Sequence, residues 1–232
     1  MIRAVLLDLD GTLLDTRLDQ FIPQYIRAFA AFMSPWMPAE AFQEALMAGT
    51  RAMVANNGSA ETNAQVFWRV FNAHSPRSRE ELTPAVDRFY TEEYPKLARY
   101  VRPRPSARPL VQELLARGCK IVLATNPLFP DTAIRQRMGW AGVADLPFDL
   151  ITTYENMHAT KPSPAYYREI AAFLGIPPAV CLMAGDDLAM DGPAVSAGMR
   201  FFHVTEEPPF SHERGSLDHF YQLVKEGWLE KW

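Results

Sequence analysis

Asp8-Leu9-Asp10-Gly11-Thr12 follows directly on the apolar run Ala4-Val5-Leu6-Leu7, so two carboxylates stand where a strand gives way to a turn. Side chains two positions apart on a strand share a face, and both acids can aim at one place before Gly11 lets the backbone turn sharply. Such acids repel each other unless a divalent cation sits between them, and that cation also keeps a carboxylate ionised and nucleophilic. Read alone, Asp-x-Asp-Gly equally describes a strand that ends in a turn, because both residue types are common there. The rest of the chain decides between the two readings.

Three further polar sets follow strand-like runs. The run Ile121-Val122-Leu123-Ala124 leads into Thr125-Asn126-Pro127, which offers a hydroxyl, an amide and backbone N–H groups suited to phosphoryl oxygens. Lys161 lies just ahead of a helix start at Ser163, where an ammonium group and a helix N-terminus together favour an anion. The run Cys181-Leu182-Met183-Ala184 leads into Gly185-Asp186-Asp187, with Asp191 close behind. Three carboxylates so near one another again require a cation, and hard oxygen ligands favour Mg²⁺. Each set has an ordinary alternative when taken singly: a turn, a solvated surface lysine, a capped helix start.

Taken in order, Asp-Leu-Asp-Gly-Thr, Thr-Asn, Lys-Pro and Gly-Asp-Asp-x-x-x-Asp resemble the haloacid dehalogenase (HAD) superfamily, in particular its C1-capped, phosphatase-like members. The resemblance covers roughly residues 1–17 and 101–205. It implies an α/β fold with a Rossmann-like parallel sheet in the order 3-2-1-4-5, a core domain of residues 1–17 and 101–232, and an inserted all-helical cap of residues 18–100. It further implies that Asp8 is the nucleophile and becomes an aspartyl phosphate. Asp10 would be the general acid and base, and its backbone carbonyl a Mg²⁺ ligand. Thr125 and Asn126 would hold the phosphoryl group, and Lys161 would balance charge between Asp8 and the phosphate. Asp8 and Asp186 would ligate the metal directly, with Asp191 or Asp187 completing the site, the spacing favouring Asp191. The implied activity is Mg²⁺-dependent hydrolysis of a small phosphorylated metabolite. Asp10 argues against haloacid dehalogenation, because a halide leaves without a proton. A phosphomutase of the β-phosphoglucomutase type would share all four motifs, and a non-catalytic phosphometabolite-binding protein with a vestigial site stands as a second alternative.

The elements that must position these groups are legible as patterns. Residues 4–9, 120–125, 149–153, 180–184 and 200–204 have strand character, and residues 107–117 read as a helix with Leu110, Val111, Leu114 and Leu115 on one face. Alternation of this kind means parallel strands joined by crossover helices. Another helix begins at Ser163, carries Pro164 in its first turn and stops at Gly175. Residues 18–100 lack strand patterning and read as helices at 21–32, 39–47, 62–71 and 84–94, with residues 101–105 as the return linker. Residues 216–232 read as a final helix with Phe220, Leu223 and Val224 inward.

A chain of 232 residues can bury a sizeable core, and its formal charge of −4 offers no basic surface for nucleic acid or anionic membrane. The thiols Cys119 and Cys181 each adjoin an apolar run, which points to buried free cysteines and a reducing compartment. No run approaches the ~20 apolar residues of a membrane span, and the first apolar run is too short for a signal segment, so a soluble cytoplasmic protein is expected. Phe67, Trp68 and Phe71 are expected to form cap core rather than a substrate clamp, and Asp15 to lie at the cap hinge. His158 is expected on the surface, not in the cleft. Nothing in the sequence bears on oligomeric state.

Overall fold

The strand β1 (Ala4–Leu7) is excluded from solvent along its whole length, which requires a neighbour on each edge and a layer on each face. The structure, a computed structural model describing residues 1–231, supplies all four. After β1 come β2 (Leu14–Thr16), α1 (Leu18–Met33), α2 (Ala39–Ala55), α3 (Asn63–His74), α4 (Arg79–Arg88) and β3 (Val101–Pro103). The chain continues through α5 (Ala107–Ala116), β4 (Lys120–Leu123), α6 (Asp131–Trp140), β5 (Leu150–Ile151) and α7 (Pro164–Leu174). It ends with β6 (Cys181–Gly185), β7 (Arg200–Val204), β8 (Arg214–Gly215) and α8 (Leu217–Lys225).

Six strands form one sheet in the order β5-β4-β1-β6-β7-β8, every pair parallel. The five expected strands thus lie in the order 3-2-1-4-5, and β8 adds a sixth at the edge that the sequence did not reveal. Its two residues are too short to carry a period. Side-chain alternation divides the core: Val5 and Leu7 pack with α5, α6 and α8 on one face, and Ala4 and Leu6 pack with α7 on the other. Leu7 pairs with Leu123 on one side and Ala184 on the other, so the chain leaves β1, β4 and β6 at nearly the same level. The crossovers diverge on either side of β1, the topological switch point where open parallel sheets bind ligands.

Ser163 caps α7 by accepting from the Ala165 N–H (3.1 Å), and Gly175 ends it in the left-handed region (φ 66°). Both were read from the sequence. Residues 18–100 are helical as expected, but in different pieces. The helix expected at 84–94 begins earlier, at a Ser78–Glu81 capping box, and after Arg88 passes into a π-helical turn (Phe89–Glu93) and a 3₁₀ stretch (Tyr94–Tyr100). The expected linker is partly a strand, since Val101–Pro103 pairs antiparallel with Leu14–Thr16. Asp15 lies in this ribbon, opposite Arg102. The final helix breaks at Gly227 (φ 74°) and resumes as a 3₁₀ turn over Trp228–Lys231; the last residue of the expected helix, Trp232, lies outside the described residues.

The helices between β2 and β3 have their own aromatic core, in which Phe29 stacks on Phe89 (centroids 4.0 Å apart) and Tyr25 meets Tyr94 edge to face. Cys181 is buried and Cys119 only partly so, and both are free thiols. Among the described residues no helix is long and apolar enough to cross a membrane.

Candidate active site

The first acidic pair is held by backbone before any side chain acts. The Asp8 N–H donates to the Ala184 carbonyl (2.9 Å) and the Ala124 N–H to the Leu7 carbonyl (2.8 Å), so the sheet ladder extends to the first residue beyond β1. Gly11 then turns the chain in the left-handed region (φ 88°), and a Cβ there would overlap the Asp186 carboxylate. Gly185 is crowded in the same way by Asp191. The two glycines let Asp186 and Asp191 approach backbone that any larger residue would block, in the first case across most of the chain's length.

Lys161 joins the motifs. Its Nζ donates to Asp8 Oδ1 at 2.7 Å and to Asp191 Oδ1 at 2.6 Å, with the lysine side chain only 2% exposed. Burial works against the ammonium, but the two carboxylates outweigh it and hold the Lys161 pKa well above its ordinary value. Burial raises the Asp8 carboxyl well above the usual carboxylate range, although Lys161 pulls it back. Burial also raises Asp186, with repulsion from Asp191 adding to it. Carboxylate oxygens of Asp8, Asp186 and Asp191 all lie within 4.8 Å of one another. Three acids against one ammonium leave a formal charge of −2 in a buried place, and hard oxygen donors carrying that charge fit a divalent cation of the Mg²⁺ type.

Asp187 does not join this cluster through its carboxylate. Its Oδ1 instead accepts from the backbone N–H groups of Ala189 (2.8 Å) and Met190 (3.1 Å), shaping the turn that brings Asp191 inward. Thr125 is buried, and its carbonyl is fixed by the hydroxyls of Thr152 (2.7 Å) and Tyr166 (2.9 Å). Asn126 Oδ1 accepts from the Lys161 N–H at 3.2 Å, which ties the loop after β4 to the loop carrying the lysine. Asp8, Asp10, Thr125, Asn126, Lys161, Asp186, Asp187 and Asp191 all line one cavity of about 390 Å³.

Asp10 has a partner that sequence reasoning missed. Arg137 of α6, 1% exposed, donates through Nη1 to Asp10 Oδ2 and lays its guanidinium 4.4 Å from the centre of the Phe129 ring. Nothing in the pattern marks it: α6 reads Asp-Thr-Ala-Ile-Arg-Gln-Arg-Met, so an arginine two positions after another looks like a solvated face. Asn63, fully buried, is a second omission. Its Nδ2 donates to the carbonyls of Pro127 (3.3 Å) and Ala159 (3.1 Å), pinning the helical segment to the loop after β4 and to the loop that carries Lys161. His203 donates from Nε2 to the Asp186 carbonyl (3.0 Å). His158 engages Glu169 (2.7 Å).

With this geometry in hand, comparison with known proteins is informative. The family description "haloacid dehalogenase-like hydrolase" matches residues 2–198. The chain belongs to that family. Among relatives of the haloacid dehalogenase-like chain, the bifunctional riboflavin kinase/FMN phosphatase of Arabidopsis thaliana is 26% identical over 235 residues, covering 99% of this chain and 55% of that protein. The N-acetylmuramic acid 6-phosphate phosphatase of Pseudomonas aeruginosa is 27% identical over 232 residues, covering 96% and 93%. This chain thus spans just over half the Arabidopsis protein and nearly all of the Pseudomonas one. A crystal structure of β-phosphoglucomutase from Clostridium difficile superposes with a TM-score of 0.57 at 20% identity, over 100% of this chain and 99% of that one, which establishes a shared fold.

Three substitutions probe this geometry. Gly11→Ala forces a left-handed Ala and displaces Asp186; a loss of at least about 1 kcal/mol is expected in urea unfolding. Arg137→Met leaves Asp10 buried without its partner and should cost about 3 kcal/mol, whereas adding Asp10→Asn should recover part of that loss. Purely additive effects in the double-mutant cycle would show that the two side chains are energetically independent.

Proposed function

We propose that the protein is a Mg²⁺-dependent phosphatase that cleaves a phosphate monoester of a small metabolite through a phosphorylated Asp8. The observation that carries this reading is Lys161 bridging Asp8 and Asp191 beside Asp186 at the switch point of the sheet. We take residues 1–17 and 101–232 as the core domain and residues 18–100 as a cap over it. A cytoplasmic location is part of the proposal, and the free thiols of Cys119 and Cys181 support a reducing compartment.

In the first half-reaction an Asp8 carboxylate oxygen attacks phosphorus and forms an acyl phosphate while the bond from phosphorus to the ester oxygen breaks. The departing oxygen takes a proton from the Asp10 carboxyl and leaves as an alcohol. In the second, a water oxygen attacks phosphorus, its proton passes to Asp10, and the bond to Asp8 breaks to give inorganic phosphate. Lys161 keeps positive charge against Asp8 throughout, and Thr125, Asn126 and the adjacent backbone hold the phosphoryl oxygens. Asp8, Asp186 and Asp191 would hold the cation, which would supply charge neutralisation for the transferring group. Arg137 pairs with the carboxylate form of Asp10, the form that accepts the proton of the attacking water. Only Oδ2 is engaged by Arg137, and Oδ1, which has no hydrogen-bond partner, is the oxygen left to carry the proton in the first half.

The mutase reading receives no such support. A phosphomutase must hold a second phosphate on its substrate, and each cation lining the cavity already has a carboxylate against it, Lys161 that of Asp8 and Arg137, through Nη1 alone, that of Asp10.

Asp8→Asn should lower kcat for phosphate release by about a thousandfold or more with the fold intact by circular dichroism; a rate near that of the parent would remove Asp8 from the mechanism. Because burial raises both Asp8 and Asp186, protons compete with the cation in the acid range. Mg²⁺ affinity measured by calorimetry should therefore fall as pH is lowered from about 8 to about 5, with protons released on binding. An affinity independent of pH over that range would mean that the raised carboxyls are not the ligands.

A further inference from the structure

The cavity that begins at Asp8 and Asp10 does not end at the catalytic loops. It extends between α1, α2, α3 and α4, and there its walls are made of Ile22, Ile26, Leu46, Phe71, Val86 and Phe129. Phe67, Trp68 and Phe71, expected as cap core alone, are buried in that core and also face this space, so one set of rings does both jobs. The polar atoms of this half are already committed to one another. The Tyr25 and Tyr90 hydroxyls share a hydrogen bond (2.9 Å), and the Thr50 hydroxyl donates to the Leu46 carbonyl (2.8 Å). Of the charged groups only Arg137 borders this half, its guanidinium lying over Phe129 while Nη1 is held by Asp10.

We infer that the part of the substrate beyond the phosphate is a bulky apolar group, of the size of a two-ring aromatic or a medium alkyl chain, and neither a sugar nor a short carboxylic acid. The inference rests on the phosphatase reading for the position of the phosphate, at Asp8. A sugar placed in the distal half would give up water at each hydroxyl and find its partners occupied, the Nε and Nη2 of Arg137 excepted, and a carboxylate would meet a guanidinium already paired with Asp10. An apolar group meets aromatic and aliphatic surface over its whole length, and dispersion with those rings adds to the gain from leaving water. The narrow polar end and wide apolar end also orient the ester, because only one direction puts phosphorus beside Asp8.

The test uses the whole protein with Mg²⁺ and esters that all release a primary alcohol, so that leaving-group chemistry stays nearly constant. Along n-alkyl phosphates from ethyl to hexyl, kcat/KM should rise about threefold to fourfold per methylene. (2-Naphthyl)methyl phosphate should exceed glucose 6-phosphate and phosphoglycolate by about a hundredfold or more. A flat alkyl series, or a preference for the sugar or the acid, would overturn the inference while leaving phosphatase activity intact. If no ester releases phosphate, the phosphatase reading fails, and the pocket is judged by calorimetry on the Asp8→Asn protein: tighter binding of the naphthylmethyl ester supports it, and equal or absent binding overturns it. Ile26→Asn, at a partly buried position on the cavity wall, should cut the naphthylmethyl-to-ethyl ratio in kcat/KM about tenfold.

Discussion

One buried ammonium group, shared between two carboxylates from distant parts of the chain, is the constraint on which the rest of the structure depends. Asp8, Asp191 and Lys161 would each be costly in this place without the others. Together they still leave excess negative charge, which a folded protein relieves by taking up a proton or a cation. The sheet meets this condition by ending three neighbouring strands at one level, so that acids separated by most of the sequence converge without a loop having to reach for them. Backbone crowding then sets the tolerance, because two glycines give up their side-chain volume to the carboxylates of Asp186 and Asp191.

The strand-end chemistry was legible because it obeys a local rule: an apolar run, then a polar residue with a turn former. That rule located Asp8, Thr125 and Asp186 and put Lys161 ahead of a capped helix. The choice between Asp187 and Asp191 rested on spacing alone, and the turn made by Asp187 supplies a physical reason: a carboxylate that binds its own backbone two and three residues on is occupied, and the bend it makes turns the later acid inward. Strand order owed more to resemblance than to periodicity, since short buried strands look alike.

What escaped notice shares a different cause. Arg137 sits on a helix whose charged neighbours mask its burial, and Asn63 is a small polar residue at a helix start, where asparagine is ordinary. Each acts through a partner far away in sequence, so no window on the chain contains both halves of the interaction. The ribbon of β2 and β3 was hidden for the same reason, and because Pro103 argues against a strand unless the strand has a free edge. The aromatic residues of α3 show a further limit: helical spacing shows that a ring is buried, but not whether the space it faces is filled by protein or left open.

The ribbon carries a consequence for how such a molecule can change. The polypeptide departs from the sheet region along β2 and comes back along β3, and the two are hydrogen-bonded side by side, about 5 Å apart. Everything threaded between them is a closed excursion with adjoining ends. Lengthening, trimming or exchanging that excursion alters no pairing in the six-stranded sheet, provided the contacts of Asn57 and Asn63 with the loops of Pro127 and Ala159 are kept. On the proposed division of labour, the two sides of the cavity are therefore free to evolve at separate rates, joined at this ribbon and at the contacts of Asn57 and Asn63.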